Sequence, residues 1–289
     1  ILYWNRAFGT NLVRAEKAPA GVTAPDARYN IVQWVPWDNA GFAYADILID
    51  PRTGQSEHGQ AYMTSVFALS GKARARALLR SMRDLDVDKK KLTADAVGGE
   101  AAQGFPWMTA NGLCHMQSVE FAHQYAQGLE DLLSNETLTD AGALRASQDY
   151  VREVVAHEVG HVLGLRHNFR ASTVYDLKQI QDPNFTKING VTSSVMDYNP
   201  YNISPKGEKQ GEYVMSTLGA YDYWAIEFGY KQFPPGQEAQ GLAQILAKAN
   251  QPELQFDSDE DAGYGSMGGV DPMVNRFDLG ADPLAYYKQ

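Results

Sequence analysis

The stretch His157-Glu158-Val159-Gly160-His161-Val162-Leu163-Gly164-Leu165-Arg166-His167-Asn168-Phe169 decides how this chain is read. It places three imidazoles, a carboxylate and a glycine in the register H-E-x-x-H-x-x-G-x-x-H. The lead-in, Tyr150-Val151-Arg152-Glu153-Val154-Val155-Ala156, contains neither Gly nor Pro. Apolar residues recur at Val151, Val154, Val155, Val159, Val162 and Leu163, a helical period and not an alternating one. On such a helix His157 and His161 stand about 40° apart around the axis and roughly 6 Å apart along it. Both rings can therefore converge on one ion. Glu158 points about 100° away from His157. That is too far for a ligand of the same ion and near enough to reach a water on it. Gly164 can end the helix in a left-handed turn, which Gly adopts without steric cost. The chain then doubles back and brings His167 to the ion from outside the helix. Three neutral imidazoles leave one coordination position open, the arrangement of a catalytic zinc and not of a structural one. A core helix that happens to carry histidines would account for one such residue. It does not account for three in register with Glu158 and Gly164.

With Gly164 and His167 in place, the motif resembles that of the metzincin metallopeptidases. A second match lies downstream: Ser193-Ser194-Val195-Met196-Asp197-Tyr198 resembles the S-x-M-x-Y turn of astacins and serralysins. The resemblance implies that Met196 floors the metal site as a Met-turn. It implies that Tyr198 ligates the zinc or stabilises the oxyanion. Asp222-Tyr223-Trp224-Ala225-Ile226-Glu227-Phe228-Gly229-Tyr230 is similar to the ending of the C-terminal metzincin helix, although alone it reads as an aromatic helix face. The segments WNRAF, IDPRTGQ, SSVMDYNPYN, LGAYDYWAIEFGY and FDLGADPLAY extend the likeness over nearly the whole chain. They resemble large bacterial zinc-dependent metalloproteases that carry a Met-zincin domain between flanking domains. That resemblance implies an extracytoplasmic setting (periplasmic, cell-surface or secreted).

Composition sets the outer bounds. The 289 residues suffice for one large domain or two lobes around a cleft, and 44% hydrophobic content supports a proper core. No apolar run approaches the length of a membrane span. The net charge of −10 argues against a nucleic-acid-binding surface. One cysteine excludes an internal disulfide without excluding an oxidising compartment. The chain opens at Ile1 directly into a helix-like segment, where metzincins usually begin with a strand. It is therefore read as part of a longer protein, with any targeting signal outside it.

Along the chain, residues 1–17 read as a helix ended by Ala18-Pro19-Ala20-Gly21. Tyr29 to Trp37 and Phe42 to Ile49 read as strands, the second closed by a turn at Asp50-Pro51-Arg52-Thr53-Gly54. Gln60 to Leu69 reads as a third strand. By resemblance, residues 43–49 form the edge strand bordering the cleft, with Tyr44, Ala45 and Asp46 holding an extended substrate by strand addition. An ordinary internal hairpin is the alternative. Residues 71–146 read as a largely helical insertion with a further helix at 117–133, and residues 214–230 as a helix.

Other groups carry weaker signals. Cys114, His115 and His123 could form a second metal site, and Cys114 a latency thiol. Solvated or satisfied side chains account for them more simply. Asp257, Asp259, Glu260 and Asp261 offer the hard oxygens that suit calcium, but they lack the glycine and terminal Glu of a calcium loop. A solvated acidic loop is preferred, and calcium is not expected. His58 shows no partner in the sequence.

The expected architecture is an α/β (α+β) metzincin-like fold. An N-terminal lobe, residues 1–167, holds a mixed twisted sheet and the zinc helix. A C-terminal lobe, residues 168–289, holds the Met-turn and a helix, and together they form one catalytic domain. The expected partner is a peptide or protein. The expected cofactor is one Zn²⁺ held by His157, His161 and His167, with Glu158 as general base in peptide-bond hydrolysis. Two alternatives stay open: a zinc hydrolase acting on a narrow set of substrates or a non-peptide amide, and a catalytically silent zinc-containing binding module.

Overall fold

The computed structural model describes residues 1–36, 43–67, 139–264 and 267–288, together with positions 76, 128, 130, 133 and 134. In chain order the described elements are α1 (Trp4–Phe8), β1 (Ile31–Val35), β2 (Ala43–Ile49), β3 (Ser56–Thr64), α2 (Asp140–Val162), α3 (Leu177–Ile180), α4 (Pro183–Asn189), α5 (Ala220–Tyr230), α6 (Glu238–Leu246), α7 (Asp259–Ala262), a short hairpin of β4 (Gly263–Tyr264) and β5 (Met267–Gly268), and α8 (Pro283–Tyr287). The fold is mixed α/β, with a small sheet and one long helix that carries His157 and His161.

These elements fall into two compact units. One comprises residues 18–151 and 161–163; the other comprises 1–17, 152–160 and 164–289. Helix α2 contributes to both.

The first unit is built on a mixed sheet of order β1-β3-β2. β1 runs parallel to β3, with Ile31 opposite Gln60 and Val35 opposite Thr64. β2 runs antiparallel to β3, with Ala43 opposite Met63 and Leu48 opposite His58. The β2–β3 turn forms where Asp50-Pro51-Arg52-Thr53-Gly54 predicts it: the Gly54 and Asp50 amides close it, and Gly54 takes φ +73°. Among the described residues β2 is an edge strand, as the resemblance implies. Ala43 and Ala45 bury their side chains on one face of the sheet. Tyr44 stacks on its cross-strand partner Tyr62, with ring centroids 4.7 Å apart.

β3 starts earlier than its apolar residues suggest. The polar run Ser56-Glu57-His58 is recruited by backbone pairing to the far end of β2, and hydrophobicity does not register that. Gly59 then lies against the last turn of α2, where an added Cβ would sit within 2.2 Å of Val162. The Ser56 hydroxyl donates to the Val162 carbonyl at 3.2 Å, supplying one of the acceptor-side partners that a helix end lacks. His58, unexplained in sequence, directs Nε2 at the carbonyls of Asp26 and Tyr29 ahead of β1.

The second unit begins with α1, which is far shorter than the predicted 1–17. Gly9 ends it in the left-handed region at φ +67°. The chain then turns back, and Asn5 exchanges two hydrogen bonds with the Val13 backbone. Trp4 is fully buried and donates Nε1–H to the Ala156 carbonyl of α2 at 3.0 Å. The helix expected over 214–230 starts only at Ala220. Val214, Met215 and Leu218 are buried as loop residues instead, and the Met215 amide donates to Glu153. Tertiary packing overrides local helix preference there. Most of the expected 71–146 insertion, the 117–133 helix, Cys114, His115 and His123 lie outside the described residues. No helix among the described residues is long and apolar enough to cross a membrane.

Candidate metal centre

Helix α2 is the base of the site. Ala143, Ala146, Ser147, Tyr150, Glu153, Val154 and His157 form a buried stripe that recurs every three or four residues, and Ala156, Glu158 and Gly160 are buried beside its end. This inward stripe carries two ionisable groups, so the helix supplies chemistry and not only packing. The helix ends as its sequence predicts: Gly164 takes φ +90°, and the Leu165 amide reaches back to the Gly160 carbonyl at 3.0 Å. That is the six-to-one bond of a glycine-terminated helix. The reversal delivers His167 to His157, with ring centroids 5.3 Å apart.

One ligand nitrogen from each of His157, His161 and His167 lies within 4.8 Å of the other two. Nitrogens around one tetrahedral zinc stand roughly 3.3 Å apart, given Zn–N bonds of about 2.0–2.1 Å. Small ring rotations close the difference. The hydrogen bonds also select the right tautomer. His157 Nδ1 lies 2.7 Å from the Val195 carbonyl oxygen, which can only accept. Nδ1 therefore carries the proton, and Nε2 presents its lone pair. His167 Nδ1 lies 3.0 Å from both carboxylate oxygens of Asp259, with the same consequence. His157, Glu158 and His167 are each at most 3% exposed. The three histidines thus fit a divalent cation bound by neutral imidazoles.

The turn at residues 193–198 lies against this helix. Met196 is fully buried, and a Cβ added to Gly160 would lie 2.3 Å from its sulfur. Met196 therefore occupies the space that a side chain at position 160, between His157 and His161, would need. Tyr198 places its ring 4.8 Å from that of His167, edge to face, and 5.5 Å from that of His157. The buried carboxylate of Asp222 accepts three hydrogen bonds, two of them from the turn and one from the residue that caps its own helix. The Ser194 hydroxyl donates to one oxygen, and the Val195 and Gly219 amides to the other. Burial pushes the Asp222 carboxyl up to about 6, against the pull of these donors. The aspartate that opens the aromatic helix motif is thus the anchor of the turn.

Glu153, one helical turn before His157, performs a related task. Its two oxygens accept from Asn199 Nδ2 at 2.7 Å and from the Met215 amide at 3.0 Å. Burial pushes its carboxyl up to about 7, and both donors work against that rise.

All three metal-ligand candidates come together as the sequence predicts. Tyr44, Ala45 and Asp46 lie in β2, in the unit of residues 18–151 and 161–163, whereas His157 and His167 belong to the other. Within the acidic segment, Asp259 takes a role that neither reading gives it. Asp259 faces His167, and Glu260 pairs with Arg166 at 2.7 Å. Asp259, Glu153 and Asp222 are site-supporting residues that motif reading misses. Glu153 could have been found as a charged residue on the buried face of α2, and Asp222 as the acidic first residue of a matched motif. Asp259 carries no local signal.

A family model described as Met-zincin matches residues 142–289, a little over half of the chain. No curated protein and no solved structure matches it. The match begins in the first turn of α2 and takes in all three histidines, Glu158 and the turn at 193–198. By that match and the histidine cluster it contains, the chain belongs to the Met-zincin family.

Proposed function

We propose that this chain is a zinc-dependent endopeptidase. One observation carries the reading: the nitrogens of His157, His161 and His167 converge within 4.8 Å, and the buried carboxylate of Glu158 follows the first of them. A zinc ion held there would supply a Lewis acid for a peptide carbonyl and would lower the pKa of water at its open position toward ~7. Glu158 is the general base, taking a proton from the attacking water and passing it to the leaving amine. A binding module would have no use for a carboxylate at this position.

The Tyr198 hydroxyl supports the developing oxyanion. Its ring packs against both His157 and His167, so little freedom remains to be lost when it engages a substrate. Met196 is the floor of the site, and Asp222 fixes the turn that carries both residues. β2, an edge strand among the described residues, holds the substrate extended along Tyr44–Asp46, through backbone hydrogen bonds. The Ala45 side chain is buried and takes no part in that recognition.

Digestion of casein or a labelled peptide, with and without a zinc chelator, tests the reading. Cleavage that the chelator abolishes and zinc restores is expected. Glu158→Ala should keep zinc and lose at least ~10² in turnover. A zinc-loaded chain that cleaves neither substrate, or a fully active Glu158→Ala variant, would count against it.

A further inference from the structure

We infer that Asp259 is a positioning residue for the metal: it fixes the tautomer and the ring orientation of His167, and thereby sets how tightly the three histidines hold a cation. The inference rests on the three-histidine reading of the site and concerns how that site is kept in shape.

The contact is well defined. His167 Nδ1 lies 3.0 Å from each oxygen of Asp259, so its N–H is shared between them. The imidazole is 3% exposed and the carboxylate 13%, so water competes poorly for the bond. For His157 the corresponding acceptor is a neutral carbonyl, that of Val195. A carboxylate accepts more strongly and makes the opposite nitrogen a better donor to a metal. Of the three ligands, His167 has the greatest need of such support. It lies beyond the end of α2, where no helix holds its backbone.

The surroundings hold Asp259 in place. The Phe169 amide donates to the Asp257 carbonyl, the Asp257 amide contacts Asn168 Oδ1, and Asn168 Nδ2 donates to the Gln255 carbonyl. The segment 255–257 is therefore laced to the residues that follow His167. Two guanidiniums offset the carboxylate's charge: Arg166 Nη2 is 3.8 Å from one oxygen and Arg276 Nη2 is 3.9 Å from the other. Arg276 is in turn stacked over the Phe169 ring at 4.8 Å, and that ring stacks on His167 at 5.0 Å. His167, Phe169, Arg276 and Asp259 form a closed loop of contacts. Its acidic member lies 92 residues from the imidazole that it orients.

The test measures zinc affinity of the full chain by competition with a chromophoric chelator, with no substrate present. The metal-free proteins are compared by circular dichroism and thermal unfolding. Asp259→Ala should weaken zinc binding about 10- to 100-fold while the metal-free fold persists. Asp259→Asn keeps an acceptor for the His167 N–H and should recover part of that loss. Glu260→Ala, which removes the neighbouring carboxylate, should leave affinity unchanged. Wild-type affinity in a folded Asp259→Ala variant would overturn the inference. Equal weakening in Asp259→Ala and Glu260→Ala would also overturn it, since the cause would then be general disruption of the segment. If Asp259→Ala does not fold, Asp259→Asn decides: weaker binding supports the role, unchanged binding removes it. A chain whose zinc affinity depends on Asp259 but which cleaves no peptide would sink the peptidase proposal and leave this one standing.

Discussion

Replacing Gly160 by Ala sets two effects of opposite sign against each other. In a helix interior Gly→Ala normally stabilises by about 0.8–1 kcal/mol. Here the new Cβ would lie 2.3 Å from Met196 Sδ and 3.0 Å from Trp4 Cζ2. Both neighbours are fully buried, and Trp4 is tied to the Ala156 carbonyl, so it cannot withdraw. Met196 has to move by about an ångström to restore ordinary contact. Overpacking of this kind costs about 1–3 kcal/mol, enough to cancel or exceed the propensity gain. Gly229 provides the control. It lies in α5 with nothing within 4 Å of an added Cβ, so Gly229→Ala should show the propensity gain alone. The two variants should therefore differ by about 1–3 kcal/mol, a gap of several degrees in Tm for a chain of this size. Thermal unfolding of the metal-free proteins measures that gap. Zinc competition should also show weaker binding in Gly160→Ala, because the displaced Met196 lies against the turn between two ligands. Equal shifts in Tm for both variants, with unchanged zinc affinity, would refute this account of the packing beneath the site.

Other outcomes follow from the buried groups around the site. The Glu153 carboxyl is raised from its ordinary 4.5 to about 7 by burial, so its contribution to stability is full below about pH 4.5 and lost as pH rises through about 7, a change of roughly 3 kcal/mol. In Glu153→Gln the urea midpoint of the metal-free protein should fall less between pH 5.5 and 8 than in wild type. Asn199 can turn its Oδ1, which has no hydrogen-bond partner among the described residues, toward the new amide; an unchanged slope would remove Glu153 as the source. Tyr198→Phe should lower kcat more than it alters KM in peptide cleavage. Unchanged kinetics would mean that the hydroxyl plays no part in the reaction.

The metal site was legible because its information is local. Three ligands and a glycine within eleven residues define a helix, its end and the reversal after it. The aspartate of the 222–230 motif was visible too, although its function was not. It became clear only when the carboxylate proved to hold Ser194, Val195 and Gly219. The inward face of α2 was harder to read. Val151, Val155 and Val159 mark a helical period but are only partly buried, whereas the charged Glu153 is buried. A polar residue on that face is stable only because loops from positions 199 and 215 supply donors, which no local pattern encodes. The same holds for Asp259. An acidic run reads alike whether it faces water, calcium or an imidazole, and the partner that decides lies far away in sequence. The misjudged ends of α1 and β3 have local physical causes: a left-handed Gly9 in one case, backbone pairing of polar residues in the other.

The central claim is that His157, His161 and His167 hold one metal ion. X-ray absorption at the zinc edge, combined with elemental analysis of the zinc-loaded and dialysed chain, tests it most directly. One zinc per chain is expected, with three imidazole nitrogens at about 2.0 Å and a light oxygen neighbour, and with retention sharply reduced in His167→Ala. Zinc well below one per chain, or a His167→Ala variant that retains the ion with the same imidazole count, would contradict it.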